Sequence, residues 1–116
     1  VAVTYNFSIA QGTDLTVPFL LSDSNGTTID LTGYTAAMQL RVQVNSIQAV
    51  DTLTTENGRI MISPTEGMIS CVFPHEQTEL YPARNLVYDL EIISPGEEVT
   101  RVVQGRICVS PEVTRV

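Results

Sequence analysis

The sequence predicts an all-β fold: an antiparallel two-sheet sandwich of about seven to eight strands, with residues 1–116 forming one domain. Three observations predict it. Apolar and polar side chains alternate with a period of two in several segments, most regularly in "YTAAMQLRVQV" at 34–44. Turn-forming residues separate those segments at short spacing, among them Asn25-Gly26, Asn57-Gly58 and the "SPGEE" run at 94–98. Helical periodicity is almost absent, and the one segment that clearly lacks the two-residue period is "PHEQTELYPAR" at 74–84.

A first strand sets Tyr5, Phe7 and Ile9 against Asn6, Ser8 and Ala10, before the turn "QGTD". Leu15, Val17, Phe19 and Leu21 form the apolar face of the second. Pro18 within it has no amide hydrogen for a ladder, so this strand is expected at a sheet edge or at a bulge. "DSNGTT" then reads as a tight hairpin turn with both Asn25 and Gly26 at positive φ. In the strand from Tyr34 to Val44, the even-numbered residues form the core face, while Thr35, Ala37, Gln39, Arg41 and Gln43 face water; its regularity predicts the centre of the sandwich.

The stretch 45–58, "NSIQAVDTLTTENG", reads as irregular, and "RIMIS" and "MISCVF" on either side of "PTEG" read as a hairpin. Pro74 can open one helical turn that stops before Pro82, a crossover between sheets with helix near 75–80. In "NLVYDLEII", Leu86, Tyr88, Leu90 and Ile92 point inward and Asp89 and Glu91 outward. "VTRVVQGRICV" then runs back, with Gly105 expected to mark a bulge. The architecture is immunoglobulin-like in layout only, because no tryptophan is present to pack on a cysteine bridge.

Charge narrows the function. Thirteen carboxylates against six arginines, with no lysine, give a net charge of −7. Such a surface repels phosphate backbones, so no nucleic-acid partner is expected. The missing lysine also removes a side chain that often guards sheet edges against strand addition, which favours a role inside an assembly. No apolar stretch approaches the roughly 20 residues of a membrane-spanning helix, and the N-terminal run lacks a basic head with a long apolar segment. A soluble domain with no signal peptide and no membrane partner is the expectation. Cys71 and Cys108 fall in predicted strands and read as buried free thiols, not as a bridge.

The outward faces offer few chemical groups. Asp89 and Glu91 lie about 7 Å apart by strand geometry, a spacing compatible with a glycosidase pair. No long cleft-forming loop accompanies them, and Arg41 or Arg101 is expected to pair with them across strands for about 0.2–1 kcal/mol. His75 has the chemistry of a general base but no nucleophile nearby in sequence, so it reads as a solvated turn residue. "DSNGTTID" has the oxygens of a calcium loop without its spacing, and a structural zinc site lacks its four ligands. Asn6 and Asn25 head glycosylation-acceptor triplets, which matter only in secreted eukaryotic chains. No Gly-rich phosphate loop or nucleophile elbow occurs. The expectation is therefore no enzyme: no catalytic, cofactor-binding or metal-binding residues, and no cofactor.

Taken together, "QGTDLTVPFLLSDSNGTTIDLTGYTAAMQLR", "NGRIMI", "GMISCVF", "LVYDLEI" and "VTRVVQGRICVSPEVTR" resemble a family of small β-sandwich structural proteins of tailed bacteriophages and prophages. They are also similar to N-terminal modules of baseplate upper proteins. The shared pieces are the Leu-Thr-Gly turn into the strand ending at Arg41, the "YDLE" strand, and the closing pattern from Gly105 to Thr114. The resemblance implies a non-catalytic virion component: a tail, baseplate, fibre-attachment or collar subunit, or a head decoration. Its partners would be other virion proteins and copies of itself, assembled in the bacterial host cytoplasm, and no catalytic residue carries over. The alternative is a carbohydrate-binding or adhesin-type module. It is weakened by the lack of tryptophan and by a 6% aromatic content, much of it at inward positions. Assembly contacts are expected around Pro18, in Asn45–Glu56 and at both termini, including the polar "SPEVTRV" tail.

Overall fold

The computed structural model describes residues 2–115, so Val1 and Val116, the ends of the two termini expected to make contacts, lie outside it. Strand accounts for 49% of the chain and helix for 6%, which makes the fold all-β. The elements are β1 (Val3–Thr4), β2 (Phe7–Ala10), β3 (Leu15–Leu20), β4 (Thr35–Arg41), β5 (Asp51–Thr54), β6 (Ile60–Ser63), β7 (Met68–Phe73), α1 (His75–Thr78), β8 (Asn85–Ile93) and β9 (Val99–Ser110). The larger sheet has the order β1-β9-β8-β4-β5, with β2 continuing β1 along β9; the smaller has the order β3-β7-β6. The two sheets cover each other's apolar faces.

The core is built by the alternation that the sequence displays. Ala36, Met38 and Leu40 on β4 and Leu86, Tyr88, Leu90 and Ile92 on β8 are buried, and facing them are Val17 and Phe19 on β3 and Ile69, Cys71 and Phe73 on β7. Each large side chain among them contributes about 1.5–3 kcal/mol by burial. Aromatic rings close one end, with Phe7 against Tyr88 at 5.3 Å and against Phe73 at 5.9 Å between centroids. β4 is internal, flanked by β5 and β8. Pro18 lies on β3, an edge strand, where its missing amide hydrogen costs no ladder bond.

The sandwich is not wholly antiparallel, because β1 and β2 pair parallel to β9. The regular strand ends at Arg41, and Val44 is 84% exposed. There the chain reverses: Ser46 N–H donates to Gln43 O and Gln43 N–H to Ser46 Oγ, both at 3.0 Å, which leads the chain back into β5. β5 falls in the stretch expected to be irregular, yet it carries Leu53 fully buried against β4.

In the turn at 23–27 only Gly26 has positive φ. Gly26 N–H donates to Asp23 O at 3.0 Å and Asp23 N–H to Thr27 O at 2.8 Å, a three-residue hairpin connection that leaves Asn25 at ordinary negative φ. The turn after β8 repeats this geometry with Glu97, not Gly96, in the left-handed region at φ 68°.

The bulge expected at Gly105 lies elsewhere. Glu91 pairs with Arg101 and Leu90 with Val103, so Val102 is the extra residue, while Gly105 pairs regularly with Tyr88. Gly105 serves a different need. The facing N-terminal strand is interrupted at Tyr5 and Asn6, and a Cβ on Gly105 would overlap the Tyr5 carbonyl oxygen and stand 2.8 Å from Asn6 Oδ1. In the interruption Tyr88 Oη–H donates to Tyr5 O, and Arg106 N–H donates to Asn6 Oδ1 at 2.8 Å.

The crossover from β7 to β8 passes through α1, as the two prolines predict. Thr78, a fully buried polar residue, is satisfied there: its hydroxyl donates to Thr13 O at 2.8 Å and accepts from Gly12 N–H at 3.1 Å. Gln11 fastens the same corner by donating to Tyr81 O at 2.8 Å and accepting from Glu112 N–H at 3.0 Å.

Candidate functional site

The outward side chains of β9, β8, β4 and β5 line a concave trough of about 880 Å³ on the larger sheet. Strand register builds its floor. Thr4, Gln104, Asp89, Gln39 and Thr52 stand opposite one another across successive strands and form one row of hydrogen-bonding side chains. Gln39 Nε2 donates to Thr52 Oγ1 at 3.2 Å. Arg41 Nη2 donates to Gln39 Oε1 at 2.6 Å, and its Nη1 donates to the Ser46 and Ile47 carbonyls at 2.9 and 3.3 Å, so the loop after β4 fixes the guanidinium.

The pairing expected for Asp89 is present. Arg101 Nε lies 3.4 Å from Asp89 Oδ2, and Arg101 Nη1 donates to Gln104 Oε1 at 3.3 Å. Asp89 and Glu91 share the outer face of β8, as read, but the Arg101 charge is applied to the Asp89 carboxylate, and the trough above them is open. Three of the six arginines, Arg41, Arg101 and Arg106, line it against these two carboxylates. This surface therefore has a small positive excess on a chain of net −7.

The opposite surface has a contrasting character. On the outer face of the smaller sheet, Leu20, Met68 and Ser63 form one cross-strand row and Pro18, Ser70 and Met61 the next, with Thr16 and Val72 beyond. None of these eight side chains is charged, and Leu20 and Met61 are 70% and 57% exposed.

His75 is more than a solvated turn residue. Its Nδ1 lies 3.0 Å from Asp14 Oδ1 and 3.3 Å from Glu76 Oε1, and its backbone N–H donates to Asp14 Oδ1 at 2.6 Å. Asp14 thereby caps α1 from outside the helix. The hydrogen bond to Asp14, with the Glu76 charge behind it, raises the His75 pKa; the His75 backbone and ring hydrogen bonds lower that of Asp14. Their ligand atoms lie within 4.8 Å of one another on an exposed surface, and the cap accounts for the cluster.

Sequence reasoning missed a largely buried polar cluster. Arg59 Nη2 and Nη1 donate to Asp51 Oδ2 and Oδ1 at 2.7 and 3.2 Å, Arg59 Nε donates to Val72 O at 2.9 Å, and Tyr81 Oη–H donates to Asp51 Oδ2. Burial, and then the bond to Asp51, raises the Tyr81 pKa. The signal was an aspartate opening a Thr-Leu-Thr run, with an arginine eight residues on. The thiols are free, as expected, but only Cys71 is buried, and desolvation pushes its pKa up to about 12; Cys108 is exposed, correcting the reading that both are buried.

No model of a known protein family matches this chain, and a search of curated proteins finds no match either.

Proposed function

We propose that this chain is a non-catalytic structural component of a bacteriophage particle, at the tail, baseplate, fibre attachment, collar or head surface, and that it acts through protein–protein contacts with other virion proteins and with copies of itself. The observation that carries the reading is the uncharged outer face of the smaller sheet. In a chain of net −7, eight adjacent outward side chains without a charge make a surface that two protein partners can cover without desolvating an ion. The resemblance read from the turn and strand pieces supports the same function.

The test is quantitative peptide counting on purified particles of the phage or prophage that encodes the chain. The expected result is a copy number matching a symmetric ring, a set of trimers or a capsid lattice. Absence from finished particles would refute the proposal.

A second reading, a carbohydrate-binding module, draws on the trough. Planar amide, carboxylate and guanidinium groups in one row across a concave face suit the hydroxyl pairs of a saccharide. It requires that an oligosaccharide titrated into the protein shift the amide resonances of Gln39, Asp89 and Gln104, and that Gln39→Ala abolish the shifts.

A further inference from the structure

Four strand edges of the sandwich border solvent, and three of them carry features that discourage strand addition. β3 has Pro18 at its middle, β6 is four residues long and runs into Pro64, and β5 is four residues long with its first residue, Asp51, held by Arg59. The fourth edge is the combined β1 and β2 strand. From Val3 to Ala10 it contains neither a proline nor a charged residue. Tyr5 N–H and Gln11 N–H donate to the β9 carbonyls of Gln104 and Ser110 at 2.8 and 2.9 Å. The pairing is interrupted at Tyr5 and Asn6, but the parity is the same on both sides of the interruption, so alternation turns the N–H and C=O groups of Thr4 and Ser8 away from β9, to the side with which no described strand pairs.

We propose that this edge is a homotypic docking site, on which a second copy of the chain lays its own Val3–Ala10 strand antiparallel about a twofold axis at Asn6. The inference rests on the assembly reading above and names one of its contacts. Three features select a second copy. The twofold register places Thr4 opposite Ser8, small polar side chains with about four backbone hydrogen bonds between the strands, and sets on the axis Asn6, whose Oδ1 is held by the Arg106 N–H of its own chain.

On the core-facing side the same register brings Tyr5 of one copy opposite Phe7 of the other. Tyr5 is 48% exposed and Val3 66% exposed, although both have the parity of Phe7 and the buried Ile9. The Tyr5 ring already stacks on its own Phe7 and meets Phe19 edge-on, each at 5.8 Å, so a cross-strand aromatic pair would complete the cover of a ring that the single chain leaves half open. The third feature is charge. Two copies each of net −7 repel, and this edge lets them meet with no carboxylate opposite a carboxylate.

An edge contact is smaller than a standard stable interface, so the free protein should associate weakly and the assembly should supply the effective concentration. Sedimentation equilibrium from about 10 μM to about 1 mM covers the range proper to such an interface. The expected result is a reversible equilibrium between 12.7 kDa and twice that mass, tightened by added salt because screening relieves like-charge repulsion.

Ser8→Pro removes an outward amide at an edge position that tolerates proline, and Ser8→Lys adds a guard. Each should weaken association at least about tenfold while the far-ultraviolet spectrum stays that of the wild type. In a Cys108→Ser background, the Thr4→Cys/Ser8→Cys double variant should form a disulfide-linked dimer and either single variant should not. A wild type that stays monomeric at about 1 mM in high salt overturns the inference. So does association that both Ser8 variants leave unchanged, although the chain would then assemble through another surface and the assembly reading would stand. Absence from particles refutes the assembly reading whether or not this edge dimerises.

Discussion

Arg59 chelates both carboxylate oxygens of Asp51, at 2.7 and 3.2 Å, and in doing so ties the edge of the larger sheet to β7 of the smaller one through the Val72 carbonyl. The side chains are only 16% and 8% exposed. Tyr81 brings the crossover between β7 and β8 onto the same carboxylate. One acidic side chain therefore links β5, the Arg59 side chain that precedes β6, and the crossover after β7.

Removing Asp51 leaves a largely buried guanidinium and a tyrosine hydroxyl without their acceptor. Asp51→Ala is expected to lower unfolding stability by about 3–5 kcal/mol, the range for breaking a buried pair from one side. Replacing both partners, as in Asp51→Leu with Arg59→Met, should cost less than the single change, because no charge is then left unpaired. Urea unfolding of the two variants and the wild type measures both quantities. A single variant within about 1 kcal/mol of wild type would show that water compensates the pair, which its residual exposure would then have to explain.

That cluster also marks where the sequence stops being legible. The inward residues of β4 and β8 could be read directly, because a period of two on a half-buried strand is written in the order of the side chains. β5 could not, because Leu53 is the one residue of its four that the core buries fully, and a single leucine between threonines has no period. The direction of β1 and β2 was equally hidden: parallel and antiparallel neighbours give the same alternation, and the choice depends on β9, about a hundred residues away. Val44 misled for the opposite reason, since it continues the alternation beyond the point where Ser46 turns the chain. Asp89 and Arg101 were legible as a pair because both lie on regular strands, whereas the Asp14–His75 contact depends on a loop meeting a single helical turn.

The Asp14–His75 contact makes stability depend on pH with a definite sign. His75 has its pKa raised above 6.5 in the folded chain, so its contribution is fully present below that value and is lost as pH rises through the folded pKa. Asp14 has its pKa lowered below 3.8, so its contribution is present above that value and is lost as pH falls through the folded pKa. The contact is therefore strongest from about pH 4 to about pH 6.5. Proton NMR titration of the His75 ring should give a midpoint above 6.5 in the wild type and a lower one in Asp14→Asn. An unchanged midpoint in that variant would remove Asp14 as the main cause.

Substitution at Gly105 should distinguish the N-terminal strand from the rest of the larger sheet. The glycine faces the interruption at Tyr5 and Asn6, where a methyl group would overlap the Tyr5 carbonyl oxygen and crowd Asn6 Oδ1. Both groups are engaged, Tyr5 O by the Tyr88 hydroxyl and Asn6 Oδ1 by Arg106 N–H, so neither can move aside without breaking a hydrogen bond. On the other side of β9, Gly105 pairs regularly with Tyr88, and that ladder has no reason to change. Gly105→Ala should therefore cost about 1–3 kcal/mol, the usual range for overpacking. The loss should appear locally in amide hydrogen exchange: Tyr5, Phe7 and Ile9, whose N–H groups face β9, should lose protection, while Met38 and Leu40 on β4 and Leu90 on β8 keep theirs. Uniform loss across both sheets would mean that the N-terminal strand is part of the cooperative core and not a separately docked edge.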